Sequence, residues 1–514
     1  MKKTFQEQIL YLTDGVNIIA IICYQYGDTG KGKIVNLLCP WAYAIYRGVG
    51  GPNAAHTFIY KGKPFTTHLL PSGITEPGVK NIIGSHVALD LLVLNNEIDL
   101  CSFLNLENLH ISHETGLIMP WHILEDITSP ESKLIGTTAC GVGPFYADPR
   151  LLISMNDLSN EDIFITKLNR YMDAKQEKFN HLQHREIEYI MTGKKYGAKF
   201  GNGKYFDDLH VFNRQAIIDH YLGELAPRFV PMIIDLKAFN ADVLANQRKI
   251  ILEGSQGTLI SSRYGTTFYQ TMSDTTVDGL AQGCGFKVED VDRVLGIVKG
   301  PVTSRVGGGP FVSELGGKKS EEYCRDAATN NAISEQAMGL DLDIDVNSKD
   351  EMIQGIVLRI RGGEYGGTTT RPRRMGWDNL VELKYSIEVN KSPYISAMKF
   401  DTSTGLEIIR LCTGYKYSGP PVNYAGKMIK DGDEINEFIR DSEILYRFQP
   451  VYTEFPGWTE DISKMRSFSE LPKELVDILV FIEKFTGAKI MILSVGRENE
   501  ETIFLNGELR RLQE

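Results

Sequence analysis

Apolar residues come in short, β-branched runs that each stop at a glycine, and this rhythm predicts strands alternating with helices around a parallel sheet. The first run spans Asn17 to Cys23 (NIIAIIC) and passes through YGDTGKGK into IVNLLCPWA, which reads as strand, glycine loop and helix. AYAIYRG leading into VGGPNAAHTFIY repeats the transition, and residues 81–100 read as a buried segment followed by a helix. KIILEGSQGT, VLGIVKGPVTSRVGGGPF and the late KIMILSVG add further strands, and KYSIEVN also reads as one. LPKELVDILVFIEKFTG has the helical period. From about 158 to 248 the pattern is mostly helical with charged faces, interrupted by GKKYGAKFGNGKYF, which reads as an exposed loop. No internal repeat is present. The expectation is an α/β fold, with a large, mostly parallel central sheet flanked by helices in a single large domain, 1–514. It carries a helical insertion at about 158–248 and smaller peripheral pieces, with 399–514 belonging to the same domain.

A chain of 514 residues can bury a large core, and 42% hydrophobic with 24% charged residues is an ordered globular composition. The formal net charge of -11 argues against a general grip on nucleic acid or an anionic membrane. The seven cysteines are scattered without a Cys-x-x-Cys pair, so zinc and disulfide frameworks are poorly supported and a reducing cytoplasm is expected. No apolar run reaches the length of a membrane span or has the form of a signal peptide.

Candidate chemistry begins at Gly27–Ile34, GDTGKGKI, which fits the G-x4-G-K part of a phosphate-binding loop but has Ile34 where a Walker motif carries its magnesium-binding hydroxyl. Backbone N–H groups around Gly30 and Gly32 can still cradle phosphates, with Lys31 and Lys33 offsetting their charge. Asp28 stands inside the loop, where a carboxylate repels a bare polyphosphate unless a cation or a proton-transfer duty occupies it. TTTRPRRMGW supplies an arginine cluster suited to holding a carboxylate in a bidentate fork.

YGDTGKGKIVNLL, RGVGGPNAAHTF, HLLPSGI, IGTTACGVGP, EGSQGT, VTSRVGGGPF, TTTRPRRMGW, MKFD and FPGW occur in the order, and mostly with the spacing, of adenylosuccinate synthetases, and the chain resembles that family from about residue 17 to near its C-terminus. It looks longer than the usual member, with additions before the first strand and between residues 340 and 360. The resemblance implies a ligase that uses GTP and Mg2+ to join L-aspartate to C6 of IMP through a 6-phosphoryl intermediate, working as a homodimer. It implies Asp28 as both magnesium ligand and base for purine N1, His56 on the transferring phosphate, Lys31 on the γ-phosphate, Gln256 reading the purine nucleotide, and the Ala55 carbonyl on the metal. By the same resemblance Thr138 and Thr271 belong to the IMP phosphate site, Asn53 matches the pattern as a substrate-binding residue, and Arg305 binds substrate from another pocket loop. Thr368, Thr369, Arg371 and Arg373 form the aspartate loop, and Lys399, Asp401, Ser494 and Gly496 form the guanine site within 399–514.

The chain departs from the family pattern around the acceptor. Thr29 replaces a glutamate, Ala139-Cys140 replaces Gly-Arg, Thr370 replaces a glycine and Asp274 replaces an asparagine. The arginine lent across the dimer is expected three residues beyond Arg150, where leucines stand, leaving Arg150 as the candidate. Two other readings are therefore weighed: aspartate ligation to another purine nucleotide such as dGMP, against which the retained Asp28 speaks, and a nucleotide-binding regulatory protein without chemistry, against which Asp28, His56, Asn53 and the arginine loop speak.

Overall fold

The structure is a computed structural model that describes residues 5–100, 106–179, 182–207, 211–326, 329–366, 371–505 and 507–513. Its centre is a ten-stranded sheet in the order Thr502–Phe504, Lys489–Ser494, Tyr394–Met398, Arg293–Lys299, Ile18–Cys23, Ile250–Glu253, Ala44–Gly50, Lys80–Val87, Leu109–Ser112, Ile233–Ile234. Every neighbouring pair is parallel except the first, in which Thr502–Phe504 returns antiparallel against Lys489–Ser494. Ile18–Cys23 lies in the middle, with Ile19 opposite Ile251 on one side and Arg293 on the other.

Both faces of that strand are buried, which is why its sequence is continuously apolar and does not alternate. Ile18, Ala20 and Ile22 pack with Leu280, Trp377 and Leu383 on one face, and Ile19 and Ile21 pack with Ile34, Val35 and Leu38 on the other. A separate core of Leu89, Trp121, Phe164, Tyr221 and Phe229 holds the helical layer. The three-stranded antiparallel sheet Glu434–Ile435, Ile408–Tyr417, Phe448–Pro456 packs its aromatic residues around Tyr26. Because parallel strands all point one way, the loops after Cys23, Gly50, Glu253, Met398 and Ser494 emerge at the same edge of the sheet, the edge where α/β folds bind ligands.

Two expectations need correction. KYSIEVN is not a strand but the second half of the helix Leu380–Asn390, whose start is capped by the Asn379 side chain accepting from Glu382 N–H at 3.4 Å. Within the span 158–248 the main helices are Glu161–Phe179, His184–Thr192 and Leu236–Ala245, and the strand Ile233–Ile234 joins the edge of the central sheet. The stretch read as an exposed loop, 193–206, plants Phe200 and Tyr205 at 0% exposure in the helical layer's core.

Candidate active site

The first loop follows directly from the central strand. Gly27, Asp28 and Gly30 have φ of 98°, 57° and 91°, left-handed values that reverse the chain so that the helix Lys31–Leu38 starts at the sheet edge. Asp28 is a residue type that tolerates this region. Gly32 is required by a close approach: a Cβ there would lie 2.9 Å from the Thr57 carbonyl oxygen, so the helix could not lie against the strand His56–Tyr60. His56 begins that strand, whose hairpin partner is Lys63–Thr67.

Two cavities open at this edge, of about 370 and 350 Å³. The first lies among Asn53, Thr138, Gln256, Arg305, Arg371 and Arg374, the second among Gly30, Gly32, Lys33, Lys399, Asp401, Ser494 and Gly496. Asp28, Lys31, Ala55, His56 and Arg373 belong to both and form the wall between them. The first and second glycine loops therefore converge, with Asp28 and His56 on one shared surface.

At that wall Asp28 is ion-paired with Arg373. His56 is buried, its Nδ1 hydrogen-bonded to the carboxylate of Glu253, while its Nε2 has no protein partner. Glu253 also accepts from the Ser72 backbone N–H at 2.9 Å and from the Ser72 hydroxyl. Burial alone raises the Glu253 carboxyl, but His56, Arg47 and Ser72 together hold it at about 2. Burial, aided by Arg47, lowers His56 to about 4 against the pull of Glu253. The imidazole is thus neutral near pH 7, with Nδ1–H donated to Glu253 and Nε2 buried without a protein partner.

Lys31 is buried, with its ammonium donating to the Gln256 carbonyl at 2.7 Å, and the Gln256 side chain donates to Asn53 Oδ1 at 2.9 Å. Burial lowers the Lys31 pKa, with Cys23, Asp28 and Glu253 opposing. Lys33 donates to Ser494 Oγ, the Gly496 carbonyl and the Glu501 carbonyl at 2.7, 2.8 and 3.1 Å, tying the last segment to the first helix. Lys399 donates to the Gly362 carbonyl at 2.9 Å and pairs with Glu364, a buried carboxylate that also receives Lys299 and Ser304 at 2.9 Å each. Burial opposes ionisation of Glu364, yet Lys299, Lys399 and Arg373 hold it well below the ordinary carboxylate range. Asp401 is raised by burial.

Arg305 lies over the Tyr26 ring, 4.1 Å from its centroid, with both terminal nitrogens buried and unpartnered in the protein. Arg371 donates from Nε to the Cys324 carbonyl at 2.9 Å and from Nη1 to Gly136 at 3.4 Å, joining the arginine loop to the Thr138 loop. Two expected residues do not join the cavity walls. Thr271 sits behind the first, its N–H donating to the Ile260 carbonyl at 2.7 Å, and Arg150 occupies an exposed turn. Thr368 and Thr369 lie outside the described residues. Sequence reasoning passed over Glu253, Glu364 and Arg47; Glu253 opens the EGSQGT motif and Arg47 opens RGVGGPNAAHTF, so both could have been found there, whereas Glu364 stands outside the motifs.

Among the described residues no group of three or more His, Cys, Asp or Glu side chains is arranged to hold a metal, and no helix is long and apolar enough to cross a membrane. The six described cysteines are all free and buried.

The family model for adenylosuccinate synthetase matches residues 20–503. The adenylosuccinate synthetase of Caldanaerobacter subterraneus subsp. tengcongensis is 34% identical over 499 residues, covering 95% of this chain and 99% of that protein. That of Borrelia duttonii is 32% identical over 498 residues, covering 96% and 99%. The solved structure of fully ligated adenylosuccinate synthetase from Plasmodium falciparum matches with a TM-score of 0.74 at 28% identity, covering 95% of this chain and 100% of that one. With a family match across nearly its whole length, joined to glycine loops that meet at Asp28 and His56, the chain belongs to the adenylosuccinate synthetase family.

Proposed function

We propose that the two cavities are the acceptor-and-aspartate chamber and the GTP chamber of this synthetase, and that phosphoryl transfer takes place across the wall they share. The reaction is the GTP-dependent ligation of L-aspartate to IMP, forming a carbon–nitrogen bond and giving adenylosuccinate, GDP and phosphate. The observation that carries the two-chamber reading is that Asp28, Lys31, Ala55, His56 and Arg373 line both cavities.

In this reading Asp28 takes the proton from purine N1, and the electron pair released makes O6 the nucleophile that attacks the γ-phosphorus of GTP as GDP leaves. Lys31, and His56 once protonated, face the charge that spreads over the transferring oxygens. An anion arriving at Nε2 favours the imidazolium, and Glu253 on Nδ1 both orients the ring and stabilises that form. The aspartate amine then attacks C6, loses a proton, and inorganic phosphate departs with the former O6. Arg371, Arg373 and Arg305, whose terminal nitrogens have no protein partner, supply the guanidinium groups for carboxylate and phosphate. Lys399 and Asp401 face the guanine, where Asp401 pairs with the base's N1–H and exocyclic amine.

The residues present fit Mg2+. This cation takes few protein ligands, one or two carboxylates with substrate phosphates and water, and the Asp28 carboxylate and Ala55 carbonyl stand on the shared wall as such a pair. When bound there, the cation offsets the negative charge of the phosphates. Free, buried cysteines support a reducing cytoplasm, and the exposed Arg150 turn leaves that side chain available to a second subunit in a homodimer.

The test is phosphate release with GTP, Mg2+ and L-aspartate, supplied with IMP or with dGMP. Release with IMP is expected, and none with either acceptor would sink the reading.

A further inference from the structure

The stretch 193–206, rich in glycine and lysine, leaves the helical layer and ends one of its side chains on the loop that carries Thr138. Both ends of that loop are fixed by one buried carboxylate: Asp126 accepts from the Thr137 hydroxyl and from the Gly141 N–H, each at 2.9 Å. Between these anchors Ala139 has φ of 53°, a left-handed conformation that a Cβ disfavours. The Lys199 ammonium donates to the Ala139 carbonyl at 2.5 Å and stands 3.3 Å from Cys140 Sγ.

Lys199 is held in place by its neighbours. Gly197–Phe200 forms a short 3-10 turn, and the fully buried Phe200 and Tyr205 root the stretch in the core beside Leu89 and Trp121. The buried carboxylate of Asp90 feels the same ammonium. Lys199 is not part of either cavity wall, whereas Thr138 is. Its influence on a ligand therefore passes through the loop.

We propose that Lys199 is a positioning residue for the acceptor nucleotide: its charge-assisted hydrogen bond to the Ala139 carbonyl holds the Thr137–Cys140 turn in the left-handed shape that presents Thr138 to the acceptor's phosphate. The proposal rests on the reading of the first cavity as the acceptor chamber. Without the ammonium, Ala139 relaxes toward negative φ and carries Thr138 out of place. The GTP chamber shares no part of this loop and is left unchanged.

The experiment compares the full-length wild type with Lys199→Met, Lys199→Arg and the double variant Lys199→Met/Ala139→Gly in steady-state assays. Lys199→Met is expected to raise KM for IMP about tenfold while kcat and KM for GTP stay within about twofold, the pattern of a loss confined to acceptor binding. Arginine keeps a cationic donor and restores KM for IMP to within about threefold. Glycine at 139 takes the left-handed turn unaided, so the double variant recovers part of the loss, a coupling that independent effects would not produce. A second readout needs no turnover: IMP should raise the melting temperature of Lys199→Met less than that of the wild type, while GTP raises both equally. A wild type that uses IMP beside a Lys199→Met variant whose KM for IMP is unchanged, or whose KM for GTP rises equally, overturns the role of Lys199 alone. A wild type that neither binds nor uses IMP overturns the acceptor reading and this proposal with it.

Discussion

Asp28 and Arg373 meet as an ion pair on the wall between the two cavities, so the carboxylate of the first glycine loop is held by a guanidinium from the arginine loop. Arg373 lies 3.9 Å from Glu364, and Glu364 receives Lys399, so one line of charges runs from the first loop to the second cavity.

Asp28→Asn tests the base directly. The amide keeps the size and most hydrogen bonds but cannot take the N1 proton, so kcat is expected to fall by about 10²–10⁴-fold. GTP affinity, read by titration calorimetry, should stay within a few-fold, because the second cavity keeps its lysines and Asp401. Turnover close to wild type in a phosphate-release assay would remove Asp28 from its role.

Glu253→Gln separates the orientation of His56 from its charge. The glutamine carbonyl still accepts from Nδ1–H, yet the imidazolium loses its buried counter-charge, and the low His56 pKa falls further. A kcat lower by roughly 10–10²-fold is expected, with less effect than His56→Asn. The pH profile of kcat carries the discriminating signal: the variant should need a more acidic medium to populate the protonated ring. A profile superposable on that of the wild type means that Glu253 only supports the fold.

Asp401→Asn addresses nucleotide choice. A carboxylate that receives both the N1–H and the amine of guanine has no such pair in adenine, and the asparagine leaves one guanine donor facing an amide N–H. KM for GTP should rise by about 10²-fold with KM for IMP nearly unchanged, since Asp401 lies only in the second cavity. Equal losses for both nucleotides would place the aspartate's effect on the fold.

The parallel sheet and the ligand loops were readable because Ile18–Cys23, Ile250–Glu253 and Lys489–Ser494 are short apolar runs that stop at glycine or turn residues, a purely local signal. KYSIEVN misled because Tyr385, Ile387 and Val389 alternate as a strand would, while the face it buries is polar. Ser386 donates to the Tyr24 carbonyl at 2.6 Å, and Asn390 donates to Thr258 Oγ1 and accepts from Val277 N–H, each at 3.0 Å. Buried polar partners at helical spacing carry no hydrophobic period, so the pattern could not reveal them. The pairings of Glu253 with His56 and of Lys199 with Ala139 were likewise out of reach, because each joins residues distant in sequence that meet only through tertiary packing.

At the wall of the first cavity, Tyr26 joins its ring to Arg305 and its hydroxyl to Glu382, donating to Oε1 at 2.6 Å. Burial lifts the Glu382 carboxyl from 4.5 to about 7, with Asp378 adding to the rise while the Tyr26 bond and Arg305 oppose it. Between pH 4.5 and 7 the folded chain therefore keeps a proton on Glu382 that the unfolded chain has released. Stability contributed by this group is full below the unfolded value, falls as pH rises through that window, and levels off above about 7. Glu382→Gln replaces the carboxyl by a group that stays neutral and still accepts from the tyrosine. The change in unfolding free energy between pH 5 and pH 8, from urea titrations, should then shift in favour of pH 8 by on the order of 1–3 kcal/mol relative to the wild type. Asp378, lifted by burial to about 7 in the same way, remains in both proteins and leaves a residual slope of the same sign. If the two proteins show the same difference between pH 5 and pH 8, the buried proton does not reside on Glu382.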